Sequence, residues 1–170
     1  ETAGGFPGAA LGQTPRDLTL EDARFVGHLP QVKRLAPLNV GAAELTSGGR
    51  LREVTVLGST AELLPIRHMK LAQGSFLAQG SERSAQIVLG SQLAREFFPD
   101  GKAVGQRIRL GDSRFLVSGV LASQGESMGF NTDEIVIIPI DYAQEMFNTT
   151  SLFRILIEAR SRSAIEPAKA

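Results

Sequence analysis

The longest apolar stretch of the chain is Ile135-Val136-Ile137-Ile138-Pro139-Ile140. A run this short, rich in β-branched residues, reads as one buried strand. It falls far short of the ~20 apolar residues that a membrane-crossing helix needs. A buried strand must be covered by other elements. With 170 residues, the chain has length for one ordinary domain or two small subdomains.

The rest of the pattern supplies those elements. Residues 1–17 carry Gly4, Gly5, Pro7, Gly8, Gly12 and Pro15, and read as an extended lead-in. Thr19 is positioned to cap a helix running to about His28, with Glu21 and Asp22 in its first turn. Val32 to Glu44 reads as a strand interrupted at Pro37, and Ser47-Gly48-Gly49 turns it into a second strand over 51–57. Thr60 to Leu64 is at most one helical turn before Pro65. Ile87-Val88-Leu89 is a short buried strand, and Ser91 caps a helix closed by Pro99-Asp100-Gly101. Arg107–Leu110 and Phe115–Leu121 alternate around Gly111-Asp112-Ser113, the clearest hairpin of the chain. Asp141 is expected to cap a short helix, with Gln144 completing a capping box. Phe153 to Ala159 is a last strand, and Ser163-Ala164-Ile165-Glu166 opens a helix that ends almost at once. That unfinished helix, with a start on Glu1, predicts a piece of a longer chain.

Charge and composition remove several function classes. Lys plus Arg and Asp plus Glu balance at 18 each, without a basic run, which argues against nucleic-acid binding. One Tyr and no Trp leave little for base stacking. The absence of Cys excludes disulfides, thiolate catalysis and Cys-based zinc sites. His28 sits at a helix C-terminus, and His68 in Arg67-His68-Met69-Lys70 has no adjacent acid to orient it. Neither belongs to a metal-binding spacing. No phosphate-binding glycine loop is present either, so no cofactor is expected.

One catalytic pattern does match. Gly125-Glu126-Ser127-Met128-Gly129 has the G-x-S-x-G spacing of a nucleophile elbow. An elbow needs a helix after the Ser, whereas Phe130-Asn131-Thr132-Asp133 leads into a strand. Both His residues also precede Ser127, opposite to the order in α/β-hydrolases. Catalysis at Ser127 is therefore not expected. What stands out instead is the loop itself, Ala122 to Asp133, long for a connection between strands. Ser127, Met128 and Phe130 on it are candidate partner-binding residues. Alternatively, Met128 and Phe130 tuck onto the domain.

Three groups of residues, in order, carry a family resemblance. They are Leu18-Thr19-Leu20-Glu21-Asp22-Ala23 with Leu29-Pro30-Gln31-Val32 and Ala36-Pro37; Val88-Leu89-Gly90-Ser91-Gln92-Leu93-Ala94 with Phe97-Phe98 and Val104-Gly105-Gln106-Arg107-Ile108; and Phe115 to Leu121, a Gly/Ser loop, then Asp133 to Ile140. Over about residues 18–160 the chain resembles the periplasmic core domain of MacB-type (MacB/FtsX/LolC-like) ABC transporter permeases.

The resemblance implies an α+β fold of two subdomains. One is a porter-like α/β part from residues 18–58 and 151–170, and the other an inserted β-rich, sabre-like part over 59–150. It implies a place on the extracytoplasmic face of the bacterial inner membrane, between membrane helices of a permease whose parent chain carries a cytoplasmic ATPase. The implied partners are a membrane-fusion adaptor and a second permease protomer, and the implied role is to relay ATP-driven movement for efflux, with no catalytic residues. Permeases for lipoprotein release or for control of cell-wall hydrolases share this plan, and a stand-alone extracytoplasmic binding module is a further alternative.

Overall fold

The computed structural model describes residues 18–78, 84–124, 126–127 and 130–160. The lead-in before Leu18 and the capping box expected at Ser163 lie outside the described residues. Helix α1 (Leu20–Gly27) begins with a reciprocal cap. The Thr19 hydroxyl accepts from the Asp22 N–H at 3.2 Å, and the Asp22 carboxylate accepts from the Thr19 N–H at 3.0 Å. Two long strands follow, β1 (Val32–Ser47) and β2 (Arg50–Ser59). Gly48 and Gly49 join them with φ of 57° and 80°, a conformation that glycine adopts without a steric cost.

Pro37 does not interrupt β1, contrary to the sequence expectation. Its carbonyl faces the end of β2, where it accepts from the Ser59 hydroxyl at 2.7 Å, and the β1–β2 ladder starts only at Asn39. A missing N–H on that side therefore costs no ladder bond. Next come α2 (Leu63–Ile66), β3 (Leu71–Gly74), β4 (Gln86–Leu89) and α3 (Ser91–Phe97). Pro65 lies inside α2, within its first turn, where the helix has no bond to lose. Gly90, not Ser91, is the N-cap of α3, and Ser91 is buried as its first residue.

The chain continues through β5 (Arg107–Leu110), β6 (Ser113–Leu121), β7 (Glu126–Ser127), β8 (Phe130–Asn131), a 3₁₀ turn at Thr132–Glu134 and β9 (Ile135–Pro139). It ends in α4 (Ile140–Met146) and β10 (Arg154–Ala159). Asp141 does not cap α4: Pro139 is the N-cap, without a side-chain bond, and the Gln144 amide donates to the Thr150 carbonyl instead.

The sheet runs β10-β1-β2-β9-β4-β6-β3, and β5 pairs with both β1 and β6. The ladder thereby closes on itself through β1, β2, β9, β4, β6 and β5. The seams are short: Leu45 and Thr46 meet Leu110 and Arg109, while Val88 and Leu89 meet Ile137 and Val136. One hydrophobic cluster is shared by Leu45, Val56, Leu89, Ile108, Phe115 and Val136 from the strands and Leu93 and Phe97 from α3. On the opposite face, Leu38, Leu57, Val88, Ile137 and Leu121 pack with Leu63 of α2 and with Phe76 and Leu77. A third, small cluster sets Ala23 of α1 against Ile140 and Leu152. The run from Ile135 to Ile140 is buried throughout, feeding side chains to all three.

Candidate functional site

The connection from β6 to β9 holds the residues that sequence reasoning selected. Within it β7 and β8 pair antiparallel, Glu126 opposite Asn131 and Ser127 opposite Phe130. Ser127 and Phe130 are thus brought together across a small hairpin. Met128 lies outside the described residues, as do Gly125 and Gly129. Ser127 is followed by the returning strand β8 and then by a three-residue 3₁₀ turn. That is not the strand-to-helix geometry of a nucleophile elbow.

The root of the hairpin is fixed by polar side chains. The Asp133 carboxylate accepts from the Ser123 hydroxyl at 2.8 Å and from the Gln124 N–H at 3.0 Å, tying the outgoing strand to the returning one. Asn131 caps the 3₁₀ turn by accepting from the Asp133 N–H at 3.1 Å, and its amide donates to Glu134 at 3.0 Å. The Gln124 amide reaches the His68 carbonyl at 3.4 Å. Gly90 lets the start of α3 approach closely. A Cβ there would stand 2.5 Å from the carbonyl oxygens of Thr132 and Asp133.

Beneath this root lies a charged bridge. Arg52 of β2 donates through Nη1 to Glu96 of α3 and through Nη2 to Glu134. Burial alone would lower the pKa of the guanidinium, but its hydrogen bonds to Glu96 and Glu134 and their charges outweigh that and leave it raised. Arg52 therefore joins the long β1–β2 hairpin, helix α3 and the hairpin root by charge-assisted bonds.

Sequence reading missed these anchors. Asp133 and Glu134 both lie in the 3₁₀ turn and both are bonded. The Asn131-x-Asp133 spacing is an Asx-turn signal that was available in the sequence. Nothing local points to Arg52, because it stands 82 residues from Glu134 along the chain. His28 ends α1 with its Nδ1 2.7 Å from the Arg24 carbonyl, and His68 turns the chain after α2 at φ 54°. Among the described residues no three His, Asp or Glu side chains are grouped to hold a metal ion. The arrangement is a short strand pair whose root is held by Asp133, Asn131 and Arg52.

The chain as a whole is similar to known proteins. Residues 2–170 match the model of the MacB-like periplasmic core domain. The chain is 34% identical over 127 residues to the macrolide export ATP-binding/permease protein MacB of Nitrosomonas europaea, covering 72% of this chain and 19% of that protein. It is 30% identical over 139 residues to the pyoverdine export ATP-binding/permease protein PvdT of Pseudomonas entomophila, covering 79% of this chain and 21% of that protein. The chain thus spans about a fifth of the length of the curated relatives it matches. Its fold is also that of the periplasmic region of MacB from Actinobacillus actinomycetemcomitans. The TM-score is 0.77 at 15% identity, covering 91% of this chain and 71% of that one.

Proposed function

The chain belongs to the family of MacB-like periplasmic core domains, and on that premise we propose that it is the extracytoplasmic domain of an ABC-type export permease. In this reading it docks a periplasmic adaptor and passes on movement driven by a cytoplasmic ATPase. The family match over residues 2–170 carries the reading, and the export names of its relatives support it. We assign the docking role to the hairpin of Ser127, Met128 and Phe130. Its support is the fixed root: a strand pair tied by Asp133 and bridged through Arg52 to β2 can pass a push at its tip into the sheet.

The division into a porter-like part (18–58 and 151–170) and a sabre-like part (59–150) belongs to the same reading. Strand β1 would be its mechanical link, since residues 32–38 pair with β10 of the porter-like part while Leu45 and Thr46 pair with β5 of the sabre-like part. The transported compound is left open by this proposal, because the relatives' names differ in cargo.

Aspartate substitutions test the docking role. Met128→Asp and Phe130→Asp, in folded protein, are expected to weaken adaptor binding about tenfold or more and to reduce export, as central apolar anchors do. If both binding and export stay at the wild-type level, the hairpin is not the docking element.

A further inference from the structure

Arg52 is not the only tie on the hairpin root. On its outgoing arm the Ala122 N–H donates to the Lys70 carbonyl at 2.8 Å, and the Gln124 amide donates to the His68 carbonyl at 3.4 Å. Residues 68–70 are in turn folded back onto α2. The His68 N–H donates to the Pro65 carbonyl at 3.2 Å and the Met69 N–H to the Leu64 carbonyl at 3.0 Å. Met69 and Leu63 are buried in one cluster, which fixes this turn to the sheet.

The other end of α2 is held by charge. Glu62, its N-cap, lies 3.6 Å from Arg34 of β1, and Arg34 donates to Glu158 of β10 at 2.6 Å. Leu64 and Ile66 of α2 pack on the same cluster as Leu156 of β10. Residues 62–70 therefore meet the hairpin root at one end and, through Arg34, strand β10 at the other.

His68 is the joint between these ends. Its φ of 54° is left-handed, a conformation that a residue with a Cβ adopts at a cost. Such a conformation persists only where its surroundings over-determine it. Here the bond from its N–H to Pro65 and the bond from Gln124 to its carbonyl do so, one on each side.

We propose that α2 and the turn after it form a strut that couples the hairpin to β10, with His68 as its poised joint. Freed from Gln124, the turn relaxes and draws Glu62 away from Arg34. Freed at Glu62, α2 shifts and the His68 carbonyl withdraws from Gln124. The coupling runs both ways, because two sites that bias one element must bias each other. The strut deepens the docking reading by giving the hairpin a second route into the fold beside Arg52, and it rests on that reading only for what moves the hairpin.

Hydrogen exchange on the 170-residue chain tests the strut without adaptor, ATPase or export, so the strut can fail while the docking reading stands, and the reverse. Gln124→Ala is expected to speed exchange of Ile155 to Glu158 in β10 about threefold or more. Glu62→Gln is expected to speed exchange in β7 and β8 by a similar factor. Val88 and Leu89 of the core strand β4 should keep the wild-type rate, which separates coupling from a general loss of stability. His68→Gly adopts the same backbone shape without the Cβ penalty and bends freely. That chain should stay folded, with a Tm close to wild type, while both cross-effects fall below about twofold. The proposal is overturned if the cross-effects are absent, if Val88 and Leu89 speed up as much as β10 and the hairpin, or if the cross-effects persist in the His68→Gly chain.

Discussion

Two single residues decide how firmly the hairpin root and the last strand are held. Gly90 faces backbone carbonyls, which cannot rotate away as a side chain would, so Gly90→Ala must push the 3₁₀ turn outward. Such overpacking costs about 1–3 kcal/mol. Urea denaturation should show the loss, and hydrogen exchange should show faster exchange in β7 and β8 than in wild type. An unchanged hairpin exchange rate would mean that the turn does not depend on this contact. Glu158 acts on β10. Arg34 donates to it at 2.6 Å, and that hydrogen bond holds its carboxyl below the usual carboxylate range, against the opposing effect of burial and with added pull from the Arg34 and Lys33 charges. A lowered folded-state pKa contributes stability above the unfolded value and loses it as pH falls through the folded one. The β10–β1 pairing should therefore loosen in acid, and Glu158→Gln should remove part of that acid sensitivity. Amide exchange of Ile155 to Glu158 at neutral and acidic pH measures both; equal acid sensitivity in the variant would exclude Glu158 as a source.

At the scale of elements, what was legible in the sequence followed local rules. The α1 cap is local, since Thr19 and Asp22 are three residues apart, and it was readable before any fold was known. Its removal by Thr19→Ala should cost about 1 kcal/mol. Chemical denaturation checks this, and a loss near zero would mean that packing of Ala23 against Ile140 and Leu152 alone holds the helix. The Gly48-Gly49 and Gly111 turns were equally plain, because their backbone needs residues free of a Cβ penalty. The starts of α3 and α4 misled because Ser91 and Asp141 are good capping types, yet Gly90 and Pro139 hold the N-cap positions. Strand β3 went unread, since Leu71-Ala72-Gln73-Gly74 is a strand only through β6, which lies far along the chain. The candidate site divided the same way. The length of the loop could be read, but its anchors could not, because Arg52, Glu96 and Gly90 come from other elements.

For the molecule as a whole, the question is whether the proposed subdomains can separate. Strand β1 argues that they cannot. It contributes Leu35 to the α1 cluster, Ala36 and Leu38 to the α2 cluster, and Leu45 to the cluster shared with α3. Losing any one cluster frees part of a strand on which the other two are built. The ring of strands adds a second tie, because β5 closes onto β1 through the fully buried pair Leu45 and Leu110. Unfolding should therefore be one cooperative transition. Tyr142 is the single Tyr in a chain without Trp, and its ring meets Phe115 edge-on with centroids 5.4 Å apart, so its fluorescence reports on the α3–α4 side. A Trp introduced by Phe153→Trp, at a site 52% exposed and next to β10, reports on the other end with little disturbance. The two probes should give the same urea midpoint. Leu110→Ala should shift both midpoints together, by about 2–5 kcal/mol of stability, as cavity formation at a fully buried leucine does. Two separated transitions, or a Leu110→Ala effect confined to Tyr142, would mean that β1 joins two independently folding parts, and the push proposed for the hairpin could not then be carried rigidly across it.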